Sequence, residues 1–173
     1  MSTPLEAKVS VLHYIADFSK EEGALDFKIY PVDTDVVSLK CIIPGPSDTI
    51  WQGGEFVLQL NFPNDFPENP PQAKFITTIY HPNIAKDGSI NLDILNPGQW
   101  DKETTLMKIL RSAQTILNEP NKESVVNTEA NNEYLKYKED NSNDEYEPLS
   151  VHVEKSSSDD EEFNKTKDFA PIH

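Results

Sequence analysis

The chain has a single cysteine, Cys41, in 173 residues. One thiol excludes an internal disulfide framework and suits a reducing compartment, so cytoplasm, nucleus or both are the expected locations. The histidines are as sparse: His13, His81, His152 and His173 are scattered. With one cysteine they compose no metal-ligand cluster, and no metal or cofactor is called for. Positive charge is scarce too. Fifteen Lys and Arg face thirty Asp and Glu, a net charge of -15, which argues against direct nucleic-acid binding. That charge fits a basic partner, or solubility alone. No apolar run approaches the roughly 18 residues that span a bilayer, and no basic segment followed by an apolar stretch opens the chain as a secretory signal. No membrane role is expected.

What is present is unevenly placed. Hydrophobic residues make up 36% of the chain, low enough that part of it lies outside any core. Residues 138–173 hold eleven Asp/Glu against four Lys, with few apolar residues. The reading is one domain over residues 1–140 and a disordered acidic C-terminal tail over 141–173. Within that tail Ser156, Ser157 and Ser158 precede four acidic residues, and phosphorylation there would add negative charge.

The pattern before the tail predicts an α+β domain. From about Pro4 to Ser19, helical spacing places Leu5, Val9, Leu12 and Ala16 on one face, read as the face for the core. Strands are expected at Phe27–Val32, Val36–Ile43 and Glu55–Phe62, the last with Phe56, Leu58, Leu60 and Phe62 alternating inward. Lys74–Thr77 completes a four-stranded antiparallel meander. Residues 62–71 carry four prolines and cannot be a regular element, since proline lacks a donor and restrains its predecessor. Phe62 and Phe66 should pin this loop to the core. After a long loop region, Leu106, Ile109, Leu110, Ala113, Ile116 and Leu117 form a helical stripe stopped by Glu119-Pro120-Asn121. A last helix is expected from about Asn127 to Lys138. Cys41, with Leu39 and Ile43 on its face of a strand, reads as a buried, inert thiol.

Several motifs in this order resemble ubiquitin-conjugating enzymes (E2s), over roughly residues 4–138. They are Pro44-Gly45-Pro46, Trp51-Gln52-Gly53-Gly54, the proline-rich loop, His81-Pro82-Asn83, Gly88, Leu92-Asp93-Ile94-Leu95, Trp100 and Glu119-Pro120-Asn121. The resemblance implies the UBC-like fold: N-terminal helix, four-stranded meander, long active-site loop region and C-terminal helices. In that family a cysteine eight residues after the Asn of His-Pro-Asn carries ubiquitin as a thioester. Here that position is Asn91. A carboxamide nitrogen, its lone pair delocalised, is neither the nucleophile nor the leaving group that thioester chemistry needs.

The resemblance also assigns roles to other positions. Asn83 matches the asparagine that supports the oxyanion; a turn asparagine bonded to its own loop is the plainer reading. His81 and Pro82 fit loop-fixing roles. Asp93 and Ser124 match positions near the incoming lysine, or are solvated surface residues. Glu68, Lys102 and Glu103 stand where ligase-binding loops often present apolar groups, and charges there remove what usually dominates such interfaces. The implied function is a catalytically inactive E2-like protein of the ubiquitin or ubiquitin-like conjugation pathway. It would bind ubiquitin or a relative, an active E2, or a ligase (E3), with the activating enzyme (E1) a further candidate. The alternative is a working transferase that uses Cys41, another nucleophile or a composite site, or one whose Asn91 replaces a native cysteine.

Overall fold

The structure, a computed structural model, describes residues 4–32 and 37–140. The acidic segment 141–173, with its three serines, lies outside the described residues, as does Val36. The element order is α1 (Pro4–Phe18), β1 (Lys28–Pro31), β2 (Ser38–Pro44), β3 (Glu55–Asn61), β4 (Gln72–Phe75), α2 (Leu106–Asn118) and α3 (Thr128–Asp140), with short 3-10 turns at Ala24–Asp26 and Asp93–Leu95. The strands form one antiparallel sheet in the order β1-β2-β3-β4. The expected α+β meander is thus present, with β1 shorter than expected and β4 beginning two residues earlier.

Alternation drives the sheet onto the helices. Phe56, Leu58 and Leu60 are buried on one face of β3, while Val57 and Gln59 on the other remain partly exposed. Ile29, Leu39, Cys41, Ile43 and Phe75 join them in one core with the α2 stripe, all six of whose predicted residues are buried. Thr105 caps α2 by accepting from the Lys108 amide at 3.2 Å, supplying one of the partners that a helix start lacks. The proline-rich loop is held as its aromatics implied. Phe62 and Phe66 are buried edge-to-face with centroids 4.8 Å apart, and Tyr14 of α1 packs on both.

The face of α1 is a correction. Leu5, Val9 and Leu12 are 70%, 44% and 50% exposed, and Ala16 is exposed as well. The core takes Ala7, Val11, Ile15 and Phe18 instead. Both sets recur at helical spacing, so periodicity could not choose between them. Shape did: Phe18 meets Phe27 edge-to-face at 6.3 Å, and the Tyr14 hydroxyl donates to the Thr104 carbonyl. Val11→Glu, which buries a charge, should therefore cost more than about 3 kcal/mol, whereas Leu12→Glu one residue on should stay within about 0.5 kcal/mol. Urea unfolding of the two variants checks this, and equal losses would contradict the orientation.

Candidate active site

Residues 81–96 are placed by backbone contacts to β4 and to the segment after α2. Gly88 has φ +91°, and a Cβ there would lie 2.0 Å from the Phe75 carbonyl oxygen. Only glycine allows that approach, which lets the Phe75 amide donate to the Gly88 carbonyl at 2.8 Å. The 88–91 stretch is thereby laid along the sheet edge, with a bridge between Lys74 and Ser89. Asn91 is exposed there, in a cleft of about 400 Å³ shared with Asn61, Gln72, Lys74, Ser89 and Asn96.

Behind it lies a buried polar knot. Asn83 is fully buried. Its Nδ2 donates to the carbonyls of Asn121 at 2.6 Å and Ser124 at 3.0 Å, and its Oδ1 accepts from the Asn121 amide at 2.8 Å. Both carboxamide hydrogens are therefore committed to backbone oxygens. Asn121 in turn donates from its own Nδ2 to Asp93 Oδ2 at 3.1 Å and, at a longer 3.4 Å, to Ser124 Oγ. The Pro82 carbonyl accepts from the amides of Val126 and Asn127, and Asn127 Oδ1 accepts from the Ala130 amide at the start of α3. The His-Pro-Asn turn thus stitches the 119–127 loop and α3 to the sheet edge.

His81 is the pivot of that turn. Its Nδ1 accepts from the Asn83 amide at 3.0 Å, which leaves the ring proton on Nε2 to be donated to the Leu117 carbonyl at 3.2 Å. Burial disfavours the imidazolium and brings its pKa down to about 4. Because this base is depressed by folding, its contribution to stability is complete above the unfolded pKa of about 6.5 and is lost as the pH falls toward 4; the span corresponds to about 3 kcal/mol at most. Urea midpoints measured from pH 7 to 4 should fall more steeply for the chain than for His81→Gln, which cannot titrate. Equal slopes would remove His81 from the acid response.

Trp100, Glu68, Lys102 and Glu103 belong to a different pair of loops. Trp100 donates from Nε1 to the Pro67 carbonyl at 2.9 Å, joining the proline-rich loop to the segment before α2. Glu68 and Lys102 form an ion pair across those same two loops, each about half exposed, and Glu103 is exposed beside them. Asp93 faces a second cleft of about 400 Å³, with Lys108, Arg111 and Glu119 in its lining. Among the described residues no group of three His, Cys, Asp or Glu is placed to hold a metal, and no helix is long and apolar enough to cross a membrane.

Cys41 is fully buried, and burial alone pushes its thiol up to about 12. In register it lies against Leu58, Leu58 against Phe75, and Phe75 against Gly88. Three inter-strand steps put its backbone about 14 Å from the 88–91 stretch. Sequence reasoning missed Asn121 as the hub of the knot. Its partners lie 28 and 38 residues away, and the only local signal was a turn-forming asparagine after Pro120.

Two comparisons with known proteins find similar chains. A family model described as "Ubiquitin-conjugating enzyme" matches residues 15–150, well over half of the chain. The chain is also similar to "Ubiquitin-conjugating enzyme E2 3" of Arabidopsis thaliana. They are 43% identical over 100 residues, which is 58% of this chain and 66% of that relative, a little under two thirds of its length.

Proposed function

The chain belongs to the ubiquitin-conjugating enzyme family, and from that premise we propose that it is a catalytically inactive member. On this reading it acts in the cytoplasm or nucleus by noncovalent binding to ubiquitin or a ubiquitin-like protein, an active E2, or a ligase. The observation that carries the reading is the state of its one thiol. Cys41 is fully buried, its pKa is pushed to about 12, and it stands across the sheet from the loop where the family resemblance places the nucleophile. Asn91, at that place in the loop, is exposed but carries no thiolate. The Asn83 carboxamide, committed to two carbonyls, serves as a structural brace.

A second reading has an observation in its favour. The Asn83–Asn121–Asp93 network and the Gly88 approach are intact around Asn91, the frame of a transferase whose Asn91 replaces a native cysteine or which completes its site with a partner's group. Titration of the immobilised full chain with ubiquitin, with charged and uncharged active E2s, and with ligases, in the absence of ATP, tests the binding role. Saturable binding to one of these classes is the expected result. Absence of binding to all three, or an adduct that reductant releases, would overturn it.

A further inference from the structure

We propose that residues 149–162 are a recognition motif that adds as a strand to the open sheet edge of another protein, a ubiquitin-like protein whose edge is rimmed by lysine and arginine. This rests on the noncovalent reading above and names the partner within it. The motif follows Pro148, a residue that a helix interior does not admit. Leu149, Val151 and Val153 then alternate with Ser150 and His152, the two-residue period of a strand with one apolar side, and both valines are β-branched. Asp144, Glu145 and Glu147 precede this stretch, and Ser156-Ser157-Ser158-Asp159-Asp160-Glu161-Glu162 follows it. A segment added to a sheet edge gains affinity from main-chain hydrogen bonds and specificity from its alternate side chains. Here the three apolar side chains would enter a groove beside that edge, and the acidic flanks would meet cations at its two ends.

The domain's own structure directs the motif to a second molecule. Neither edge of its sheet is a good host. The outer edge of β4 is already taken, since Lys74 is bridged to Ser89 and the Phe75 amide donates to the Gly88 carbonyl. At the other edge β1 has four residues. The Val32 amide just after β1 donates inward to the Ser38 carbonyl, so alternation turns the backbone groups of Ile29 and Pro31 outward, and Pro31 has no amide to offer. Charge is equally committed. Among the described residues Lys28 is paired with Glu55, Lys86 with Glu129, Lys102 with Glu68 and Arg111 with Asp26. In a chain at -15, a segment with nine Asp/Glu against three Lys in 141–173 is drawn to cations on a partner rather than to its own domain. Position agrees. The family match stops at residue 150, so Val151 to Glu162 lie beyond it. Leu149 is nine residues past the end of α3 at Asp140, a reach of about 30 Å when extended.

The probe is the small ubiquitin-like modifier, titrated against the full chain by calorimetry and, isotope-labelled, by amide NMR. Saturable binding is expected, with shifts concentrated along one edge strand of the probe. Val151→Asp/Val153→Asp should weaken it at least tenfold. Val151→His/His152→Val, which keeps composition and charge but breaks the alternation, should do the same. Ser156→Glu/Ser157→Glu/Ser158→Glu should tighten it, and about 0.5 M sodium chloride should weaken it, because a contact steered by exposed charges is screened. All three variants lie outside the described residues, and an unchanged Tm confirms that the domain is intact. Absence of binding, binding indifferent to both valine variants, or binding that shifts no edge strand of the probe would overturn the proposal. So would valine variants that move amide signals of the described residues when no probe is present, which would place the motif on its own domain. The noncovalent reading falls separately, only if ubiquitin, active E2s and ligases fail to bind as well.

Discussion

Mixed with activating enzyme, ATP and ubiquitin, the unmodified chain will form no adduct that reductant releases, and Asn91→Cys will form one. The first half follows from electronic structure and from burial. Thioester exchange needs a thiolate, and the one thiol present has its pKa pushed to about 12 by burial in the core. Burial therefore leaves it protonated at pH 7. No amide substitutes, since its nitrogen lone pair is held in conjugation. The second half follows from the loop. Gly88 fixes the approach to β4, and Asn91 is exposed in an open cleft, so a thiol there would be presented to solvent. The contrast on a non-reducing gel is all or none. An adduct on the unmodified chain that persists in Cys41→Ala would point to a group outside this account. One that vanishes in Cys41→Ala would mean that the core opens far enough to expose Cys41. An uncharged Asn91→Cys would locate the loss in the surface that meets the activating enzyme.

The next largest effect is expected for Asn83→Ala. The substitution deletes three hydrogen bonds and leaves the Asn121 amide and the carbonyls of Asn121 and Ser124 without their partner. At about 1 kcal/mol or slightly more for each bond, the loss should reach about 3 to 4 kcal/mol. For a chain of this size that lowers Tm by about 10 °C. Asn83→Asp should do no better, because a carboxylate keeps the acceptor for the Asn121 amide but turns an oxygen toward two carbonyls. Thermal unfolding reads the loss, and hydrogen exchange at the Asn121 amide reads its origin. A shift below about 1 kcal/mol would mean that the carboxamide is not bracing the loop and is available for chemistry.

The two predictions separate what a local pattern carries from what it does not. Phe56, Leu58 and Leu60 announced their strand, and Leu106 to Leu117 their helix, because each lies within a few residues of partners that share its period. The proline-rich loop was legible for a covalent reason, the missing amide of proline, and its anchors Phe62 and Phe66 were the aromatics within it. The α1 face was not legible. Leu5, Val9 and Leu12 form as good a stripe as Ala7, Val11 and Ile15, and only the fit of Phe18 and Tyr14 against Phe27 and Phe66 settled which one turned inward.

The sequence by itself determined the α+β order of elements, the family's motifs, and the absence of a second thiol to stand in for a cysteine at Asn91. Those are matters of composition and short-range spacing, set by covalent chemistry and by the periods of helix and strand. Tertiary structure alone decided that Cys41 is sealed in the core with two strands between it and the candidate site, that both Asn83 hydrogens are spent on the 121–124 loop, and that Asn121 joins Asn83 to Asp93. Each of these depends on burial or on a hydrogen bond between residues tens of positions apart, and such partners meet only when the whole chain has closed on its core.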